Sequence, residues 1–471
     1  MQHQQLVTSK GLPRRRSLVG LSLTLVTLLG GLIAAPMGAA AEPEPRAAVK
    51  AETLAPLDPA IVKSFKLSTL TAQWDKSLEG IKAIEASGAV TKVTPLQVAT
   101  SGQHKGRAGL CHGVAPLETR LVPDGFCWDQ KDEDSSAYTF DGGWMPQGLT
   151  ASHDSTPEGT VDGNHLYLAA WQFGTCFRQG TVCDPKKPGE SDKDQFARIS
   201  IVKNTGGTAP TYGHVLLVKP NASGTNFEAV TETHADGMVW YGNRLFVANG
   251  GELQVYDMRH LWRMTNIDGK VGTTDGKTSS ARWHQWAMPM IGRYFIDGTP
   301  AGRTCAPGGS KLCLSSLSLD RSKYPDALVS SEHVTYKTSK EQGTRGRVVR
   351  WPLNAEVALP KADNGAGIGD TTASAAYKSP VWAQQGAATD GTYYYMSGAC
   401  PDSWPDEDGS PPESNRAFSC IHRAKPGEAP VALTKTPRLT QNLSYAPNSG
   451  RLWGLNESLQ GDRSIFSLKV H

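Results

Sequence analysis

The sequence lacks the short motifs by which many enzymes and metal proteins are recognised. It contains no Cys-x-x-Cys, no His-Glu-x-x-His and no Gly-x-Ser-x-Gly. These absences exclude the common zinc sites, the thioredoxin-like redox motif and the nucleophile elbow of the α/β-hydrolases. No other motif predicts a metal or a prosthetic group, so we expect the protein to use no cofactor and no metal.

The chain also has little net charge. Its 48 lysines and arginines stand against 45 acidic residues, and four of the basic residues lie within positions 1–41. The remainder is close to neutral and has no basic patch, so it lacks the electrostatic footprint that nucleic-acid binding or an anionic membrane surface requires. We expect no nucleic-acid partner.

Long apolar runs are absent except near the start of the chain. Three arginines at 14–16 lead into an uncharged run over 18–35 that is short for a membrane span, and small residues follow at 38–41. The pattern predicts an export signal over 1–41 and a secreted protein without a membrane span after its removal, with a retained anchor as the alternative. The arginines resemble a twin-arginine core, but Gly20 departs from it, so the Sec and twin-arginine routes both stay open.

Cysteine is present in an even number, eight, which in an exported chain favours disulfides over metal ligation. The cysteines fall into four pairs that are local in sequence. Nearest-neighbour pairing predicts the bridges Cys111–Cys127, Cys176–Cys183, Cys305–Cys313 and Cys400–Cys420. In the chain-entropy model each such bridge contributes roughly 2 to 4 kcal/mol, mostly by restraining its own loop.

Residues 42–104 predict a leader followed by one helix. Residues 42–52 are rich in Pro, Ala and Glu, and Gly88 stands where a helix C-terminal cap would be. The apolar residues of the segment between them recur at helical spacing: Leu70, Trp74, Leu78, Ile81 and Ile84. We interpret this helix as a brace that packs on the main domain, in preference to a helix that binds a partner.

Beyond residue 105 the pattern is all-β, because Gly and Pro punctuate short apolar runs and no long helical period occurs. One repeat emerges: a polar residue, a small residue and usually an apolar one, then a turn and a strand. Its copies begin at Gln147, Asp236, Ser315, Gln385 and Gln441. Five copies predict a five-bladed β-propeller over residues 105–471, with an irregular β-sandwich as the alternative. Because the last copy ends at its third strand, we expect its outer strand to come from the N-terminal side of Gln147.

The five polar positions should stand at the starts of the inner strands and surround one mouth of the central channel. Gln147, Asp236, Gln385 and Gln441 are therefore candidate ligand-binding residues, with a polar plug as the alternative role. A propeller glycosidase would need at least two convergent carboxylates, and among these positions only Asp236 has that character, with Glu232 and His234 just upstream. No catalytic residue is assigned on this basis.

All four predicted disulfides should lie on the same face as this mouth, which suggests either a binding face or loops protected against proteolysis. Trp128, Trp171 and Trp404 fall in these segments and are candidate ligand anchors, with core packing as the alternative. The acidic runs Asp132–Asp134 and Asp406–Asp408 lack the ligand spacing of an EF-hand, so solvated loops are favoured over Ca²⁺ sites.

The opening Gln147-Gly148-Leu149 and the segment Gln385-Gly386-Ala387 followed by Asp390-Gly391 carry a resemblance to a known group. They resemble the blade signature of secreted and phage receptor-binding five-bladed propellers, including the helveticin-like proteins; Asp236, Ser315 and Asn442 depart from it. The resemblance implies engagement of a cell-envelope glycopolymer and transfers no catalytic residue. We therefore expect a secreted protein that binds an extracellular or cell-wall glycan, the alternative being a polysaccharide hydrolase or lyase in which Asp236 and His234 take part.

Overall fold

The computed structural model describes residues 52–112, 117–134, 142–179, 195–296, 305–404, 417–459 and 461–471. The predicted export signal, the leader up to residue 51, Cys183 and the acidic run Asp406–Asp408 lie outside these residues. No helix in the described part of the chain combines the length and the apolar character needed to cross a membrane.

Five antiparallel sheets of four strands each form the blades of a propeller, as the sequence repeat predicts. The inner strands of blades 1 to 5 are Trp144–Ala151, Gly237–Tyr241, Ser316–Asp320, Gly386–Thr389 and Thr440–Ala446. The second strands are Leu166–Phe173, Arg244–Asn249, Ala327–Ser331, Tyr394–Ala399 and Arg451–Asn456. The third strands are Ala197–Lys203, Glu252–Asp257, Arg347–Asn354, Ser419–Ala424 and Ser464–Lys469. The outer strands are Thr211–Pro220, Trp286–Ile296, Ala375–Lys378, Val431–Thr436 and Asp124–Cys127.

The ring closes through blade 5, whose outer strand comes from the N-terminal side of the first blade. Asp124–Cys127 pairs antiparallel with Ser464–Lys469, which confirms the closure expected from the sequence. Closure of this kind leaves few unpaired strand edges. Blades 1 and 2 are joined in addition by a parallel pairing of their outer strands, from Val215 with Trp286 to Val218 with Pro289.

Residues 52–110 brace the outside of the propeller. The predicted helix runs over Thr71–Ala86 and ends before Gly88, whose φ of 78° suits a residue without a side chain. Its Trp74 packs directly on Gly292 of blade 2, and the indole N–H donates to Thr69 Oγ1 over 2.8 Å. The predicted bracing role is confirmed.

Shorter elements complete the fold. The other helices are Pro59–Ser64, Pro95–Ala99, Gln130–Glu133, Ser152–Ser155 and Tyr336–Gln342. The 3-10 turns are Thr119–Leu121, Thr175–Gln179, Met258–His260 and Pro401–Ser403. The additional short strands are Ala55–Pro56, Lys66–Thr69, Thr91–Lys92, His104–Lys105, Arg107–Ala108, Phe227–Ala229, Trp262–Arg263, Val271–Thr274, Thr278–Ala281, Leu359–Pro360 and Thr371–Thr372.

The small residue of each repeat is the point at which inner strands meet at the axis. A Cβ placed on Gly148 would lie 3.1 Å from Gly237, and one on Gly386 would lie 2.7 Å from the carbonyl oxygen of Gln441. In blade 5 the repeat has Asn442 instead. Its side-chain oxygen accepts from the N–H of Leu317 over 2.9 Å and its amide donates to the carbonyl of Leu149 over 2.8 Å. The side chain of Asn442, which replaces the small residue of the repeat, thus connects blade 5 with blades 3 and 1 across the axis.

Substitution of Gly237 by Ala should strain this ring. The added Cβ would overlap the backbone of Ser316 and Leu317, and backbone atoms cannot rotate away as a side chain can. We expect a loss of about 1–3 kcal/mol in the free energy of unfolding, measured by urea denaturation. Gly367→Ala is the matched control, because its Cβ would make only an ordinary contact at 3.6 Å with Val357; equal losses in the two variants would contradict the proposed close approach.

We call the face at which the inner strands begin the upper face. Three of the predicted disulfides form, Cys111–Cys127, Cys305–Cys313 and Cys400–Cys420. Each adjoins an upper strand end: Cys127 ends an outer strand, Cys313 precedes the inner strand of blade 3, and Cys400 follows Ala399. The three bridges therefore share one face, as predicted. The fourth predicted bridge joins Cys176 to Cys183, which lies outside the described residues.

A buried charge cluster ties the closing segment to blade 1. The carboxylate of Asp132, on the helix Gln130–Glu133, accepts from Arg198 Nη2 over 2.7 Å and from the Tyr212 hydroxyl over 2.7 Å. His214 Nε2 lies 3.1 Å from both carboxylate oxygens, and His104 Nδ1 lies 3.3 Å from one of them. The prediction of a solvated acidic loop is wrong for Asp132, because this carboxylate is 1% exposed and fully paired.

Candidate functional site

Two of the predicted polar positions are aimed by β-bulges. The pairing of the inner strand of blade 1 skips between Pro146 and Leu149, and that of blade 5 skips between Thr440 and Leu443. Gln147 and Gln441 lie in these bulges, which re-aim side chains and are common beside functional sites. Asp236, Ser315 and Gln385 directly precede the inner strands of blades 2, 3 and 4. The register of the repeat is thus confirmed, whereas the ligand-binding role of these residues stays a prediction.

Three residues just before the inner strands have strained backbone conformations. Ala235, Ala383 and Leu439 have φ values of 58°, 47° and 58°, and each stands one or two residues before the polar position of its blade. Such left-handed conformations cost roughly 1–3 kcal/mol for a residue with a side chain, and they persist only where the surroundings impose them. In three blades, therefore, a residue in the same left-handed conformation leads the chain into the upper end of the channel.

In blade 2 the strained entry is held by the side chain of Asn249. Its oxygen accepts from the N–H of His234 over 2.9 Å, and its amide donates to the carbonyl of Glu232 over 3.1 Å and to Glu252 over 3.0 Å. Gln254 donates to the same carboxylate over 2.7 Å. This buried network fixes the segment that presents His234 and Asp236.

Acidic side chains from two blades lie at this end of the channel. His234 Nδ1 contacts the carboxylate of Asp236 within blade 2. From blade 5, Glu457 accepts a hydrogen bond of 2.7 Å from Gln147 Nε2, and the charges of His234 and Asp236 act on it. We call Gln147, His234, Asp236, His333 and Glu457 the upper mouth.

Glu457 is the carboxyl group that the sequence reasoning missed. It follows the second strand of blade 5, Arg451–Asn456, and therefore reaches the upper face. Burial raises its pKa, and the charge of Asp236 acts in the same direction against the opposing effects of His234, Gln147 and Arg463. The mouth thus combines a carboxyl group whose pKa is raised with a second carboxyl group in contact with an imidazole. The first residue after each second strand was the available signal, because those positions share the face of the inner-strand starts.

Two of the three predicted ligand anchors lie inside the fold. Trp128 and Trp171 are 0% exposed and pack edge to face with ring centroids 4.8 Å apart. The Trp171 indole donates to Ser200 Oγ over 2.8 Å. Their assignment as ligand contacts is therefore corrected to core packing, because neither ring has a surface that a ligand could reach.

Trp404 is partly exposed, and its ring stacks on His422 at 5.7 Å between centroids. Arg345 lies 5.9 Å from the centroid of this ring and 4.5 Å from that of Trp382. The Trp404 indole N–H donates to the carbonyl of Ala399 over 3.0 Å. These contacts engage part of the ring, and its role as a ligand anchor stays a prediction.

A second polar group lies at the opposite, lower end of the channel. His153 and Asp154 lie in the helical turn Ser152–Ser155, which directly follows the inner strand of blade 1. His153 Nε2 lies 2.7 Å from Ser444 Oγ, which in turn lies 2.9 Å from Asp154 Oδ2. Ser444 is fully buried, so this group closes the lower end and presents no nucleophile.

Two clusters in the described residues bring three or more metal-ligating side chains together. One contains Cys111 and Cys127, whose sulfurs are joined in a disulfide and cannot ligate. The other is His104, Asp132 and His214, in which Arg198 already pairs with the carboxylate. The donor sets of both clusters are occupied by protein groups.

No protein-family model and no curated protein matches the chain, so the resemblance to helveticin-like propellers stays a prediction. Among solved structures it is similar to RS223-β-xylosidase, with 11% identity, a TM-score of 0.30 and coverage of 69% of this chain and 92% of that one. It is also similar to a GH43_1 enzyme from Xanthomonas citri, with 10% identity, a TM-score of 0.32 and coverage of 69% and 86%. For Pseudomonas fluorescens PhoX the values are 7%, 0.33, 81% and 94%. Similarity at this level transfers no site or activity.

Proposed function

We propose that the protein is a glycan-cleaving hydrolase with its active centre at the upper mouth. The observation that carries the proposal is that Glu457 of blade 5, bonded to Gln147, lies at the same end of the channel as the contact between His234 and Asp236 of blade 2. Hydrolysis of a glycosidic bond requires one group that protonates the leaving oxygen and a second that activates water or stabilises the developing positive charge. These are the two kinds of group that stand here.

Glu457 takes the role of the acid, because burial favours its protonated form. The His234–Asp236 pair takes the role of the base, since a carboxylate at Nδ1 fixes the imidazole tautomer and supports the charge that the ring gains when Nε2 accepts a proton. Amide side chains at Gln147, Gln385 and Gln441 suit the hydroxyl groups of a sugar, because an amide both donates and accepts hydrogen bonds.

The competing function, recognition of a glycan without cleavage, would depend on aromatic anchors. The buried rings of Trp128 and Trp171 and the contacts on Trp404 favour the hydrolase over this reading. A lyase is also disfavoured, because β-elimination acts on acidic sugars and the mouth presents carboxyl groups where a cation would be needed.

Asp236→Asn tests the proposal. We expect the mature protein to release new reducing ends from at least one neutral polysaccharide in a panel of plant and bacterial cell-wall polymers. Asp236→Asn should lower that rate by roughly 10²- to 10⁴-fold while polymer binding, measured by affinity electrophoresis, persists. Glu228→Gln, a carboxyl change on an exposed outer strand, is the control and should leave the rate unchanged. Binding without turnover in the wild-type protein would contradict the hydrolase function and support recognition without cleavage.

A further inference from the structure

The position of His333 at the upper mouth depends on the contacts of its neighbour, Glu332. It follows the second strand of blade 3, Ala327–Ser331. The adjacent Glu332 is buried, pairs with Arg347 over 2.6 and 2.7 Å, and accepts from the N–H of Cys313 over 3.1 Å. These contacts fix the backbone beside His333, whose ring lies against the carbonyl of Gln384 just before the inner strand of blade 4, and the charges of Asp236 and His234 act on it.

The contacts of the ring decide which nitrogen carries the proton. Nδ1 of His333 lies 3.1 Å from the carbonyl oxygen of Gln384. A carbonyl oxygen only accepts, so Nδ1 donates, and in the neutral ring Nε2 carries the lone pair. Within the described part of the chain Nε2 has no hydrogen-bond partner. It is also not one of the fully buried side-chain atoms that lack a partner, so it is accessible to solvent. Burial lowers the pKa of His333, against the opposing effects of Gln384 and Asp236, which keeps the ring neutral near pH 7.

The neighbouring groups of the mouth are also unsuited to an anion. Asp236 and Glu457 are acidic, and His234 is engaged by Asp236. Arg463, whose charge acts on Glu457, is buried and donates to the carbonyls of Ser458 and Asp132 over 2.6 and 2.9 Å. A sugar that carries a carboxylate or a sulfate would meet the carboxylate of Asp236, and juxtaposed like charges oppose binding, while the protonated Glu457 and the neutral His333 would supply no compensating positive charge.

We propose that His333 is a specificity-determining residue, whose Nε2 accepts a hydrogen bond from a sugar hydroxyl and which, with the two carboxyl groups, restricts the site to neutral glycans. The proposal rests on the hydrolase function of the same mouth and names its substrate class. An uncharged acceptor selects a hydroxyl donor and gives no attraction to an acidic substituent.

The experiment uses polymer pairs that share a backbone and differ in charge, fully methyl-esterified polygalacturonate against polygalacturonate and xylan against glucuronoxylan. Affinity electrophoresis of the full mature protein should show binding to at least one neutral member that exceeds binding to its acidic partner by about tenfold or more. Equal or stronger binding of the acidic members would overturn the proposal. Binding of neutral polymers without cleavage would support the selectivity for neutral glycans and contradict the hydrolase function. Cleavage with a preference for acidic polymers would support the hydrolase function and contradict the selectivity.

Variants of His333 separate recognition from folding. His333→Ala should weaken binding of the preferred neutral polymer by up to about tenfold, because one hydrogen bond is lost. His333→Gln should recover most of that affinity, since its amide oxygen can take the place of Nε2. NMR titration of the wild-type imidazole should show the Nδ1–H tautomer and a pKa below its ordinary value. Unchanged binding in His333→Ala, or a ring protonated near pH 7, would overturn the assignment.

Discussion

Substitution of Asp132 by Asn should lower the free energy of unfolding by about 3–5 kcal/mol, because it removes a carboxylate that pairs with a buried guanidinium. Arg198 is 0% exposed, lies 4.5 Å from the Trp144 ring and 5.2 Å from the Trp171 ring, and points Nη2 at Asp132. Removing one partner of a buried pair costs more than the pair itself contributes, because the remaining buried charge loses part of its compensation. Urea denaturation followed by tryptophan fluorescence measures the loss.

A double-mutant cycle supplies the control. Arg198→Met should be costly alone, but Asp132→Asn combined with Arg198→Met should cost clearly less than the sum of the two, because the uncompensated charge is then gone. Asp75→Asn changes the same group on the exposed side of the bracing helix and should have no measurable effect. Additive losses in the double variant would contradict the direct coupling.

The pH dependence of stability reports on the same cluster. Burial opposes the charge of His104, but its hydrogen bonds to Asp129 and Asp132 raise its pKa to about 9. A raised folded-state value means that this contribution is complete below the unfolded pKa near 6.5 and is lost as the pH rises through about 9. Burial likewise opposes the charge of Asp132, yet Arg198, His104 and His214 hold its pKa well below the ordinary value. That contribution is present above about pH 4 and is lost on acidification. The alkaline loss should be reduced in His104→Gln.

The sequence was sufficient for the fold because the propeller repeats one local pattern. A polar residue, a small residue and a turn recur wherever an inner strand begins, and the small residue is required by the approach of Gly148 to Gly237. Blade closure by Asp124–Cys127 followed from the missing fourth strand of the last copy. Pairing of neighbouring cysteines followed from the short loops between them.

The functional site was harder to predict because it depends on contacts between blades. Glu457 and Gln147 are 310 positions apart and meet only when the ring closes. Trp128 and Trp171 were placed on the correct face, but the sequence could not show that their rings turn inward to enclose Arg198 and Tyr212. Asp132 was misjudged for the same reason, since its cationic partner comes from another blade.

Glu457→Gln should lower the rate of polysaccharide cleavage by roughly 10²- to 10⁴-fold, because the amide cannot protonate the leaving oxygen. The loss should depend on the leaving group. An aryl glycoside with a strongly acidic phenol departs without protonation, so Glu457→Gln should retain most of the wild-type rate on such a substrate, if its sugar matches that of the cleaved polymer. Asp236→Asn should lose the rate on both substrates, because the base is needed whichever group leaves. Equal losses for both substrates in Glu457→Gln would contradict its role as the acid.

The pH profile gives an independent measurement of the same residue. The acid must be protonated, so the rate on the polysaccharide should fall as the pH rises through the pKa of Glu457, which burial holds above its ordinary value. In Glu457→Gln this alkaline fall should disappear from the residual rate, while the acidic limb set by the base should stay. Gln147 donates to the carboxyl group and so favours its charged form. Gln147→Leu should therefore move the alkaline fall to higher pH, and a shift to lower pH would contradict the contact between these two side chains.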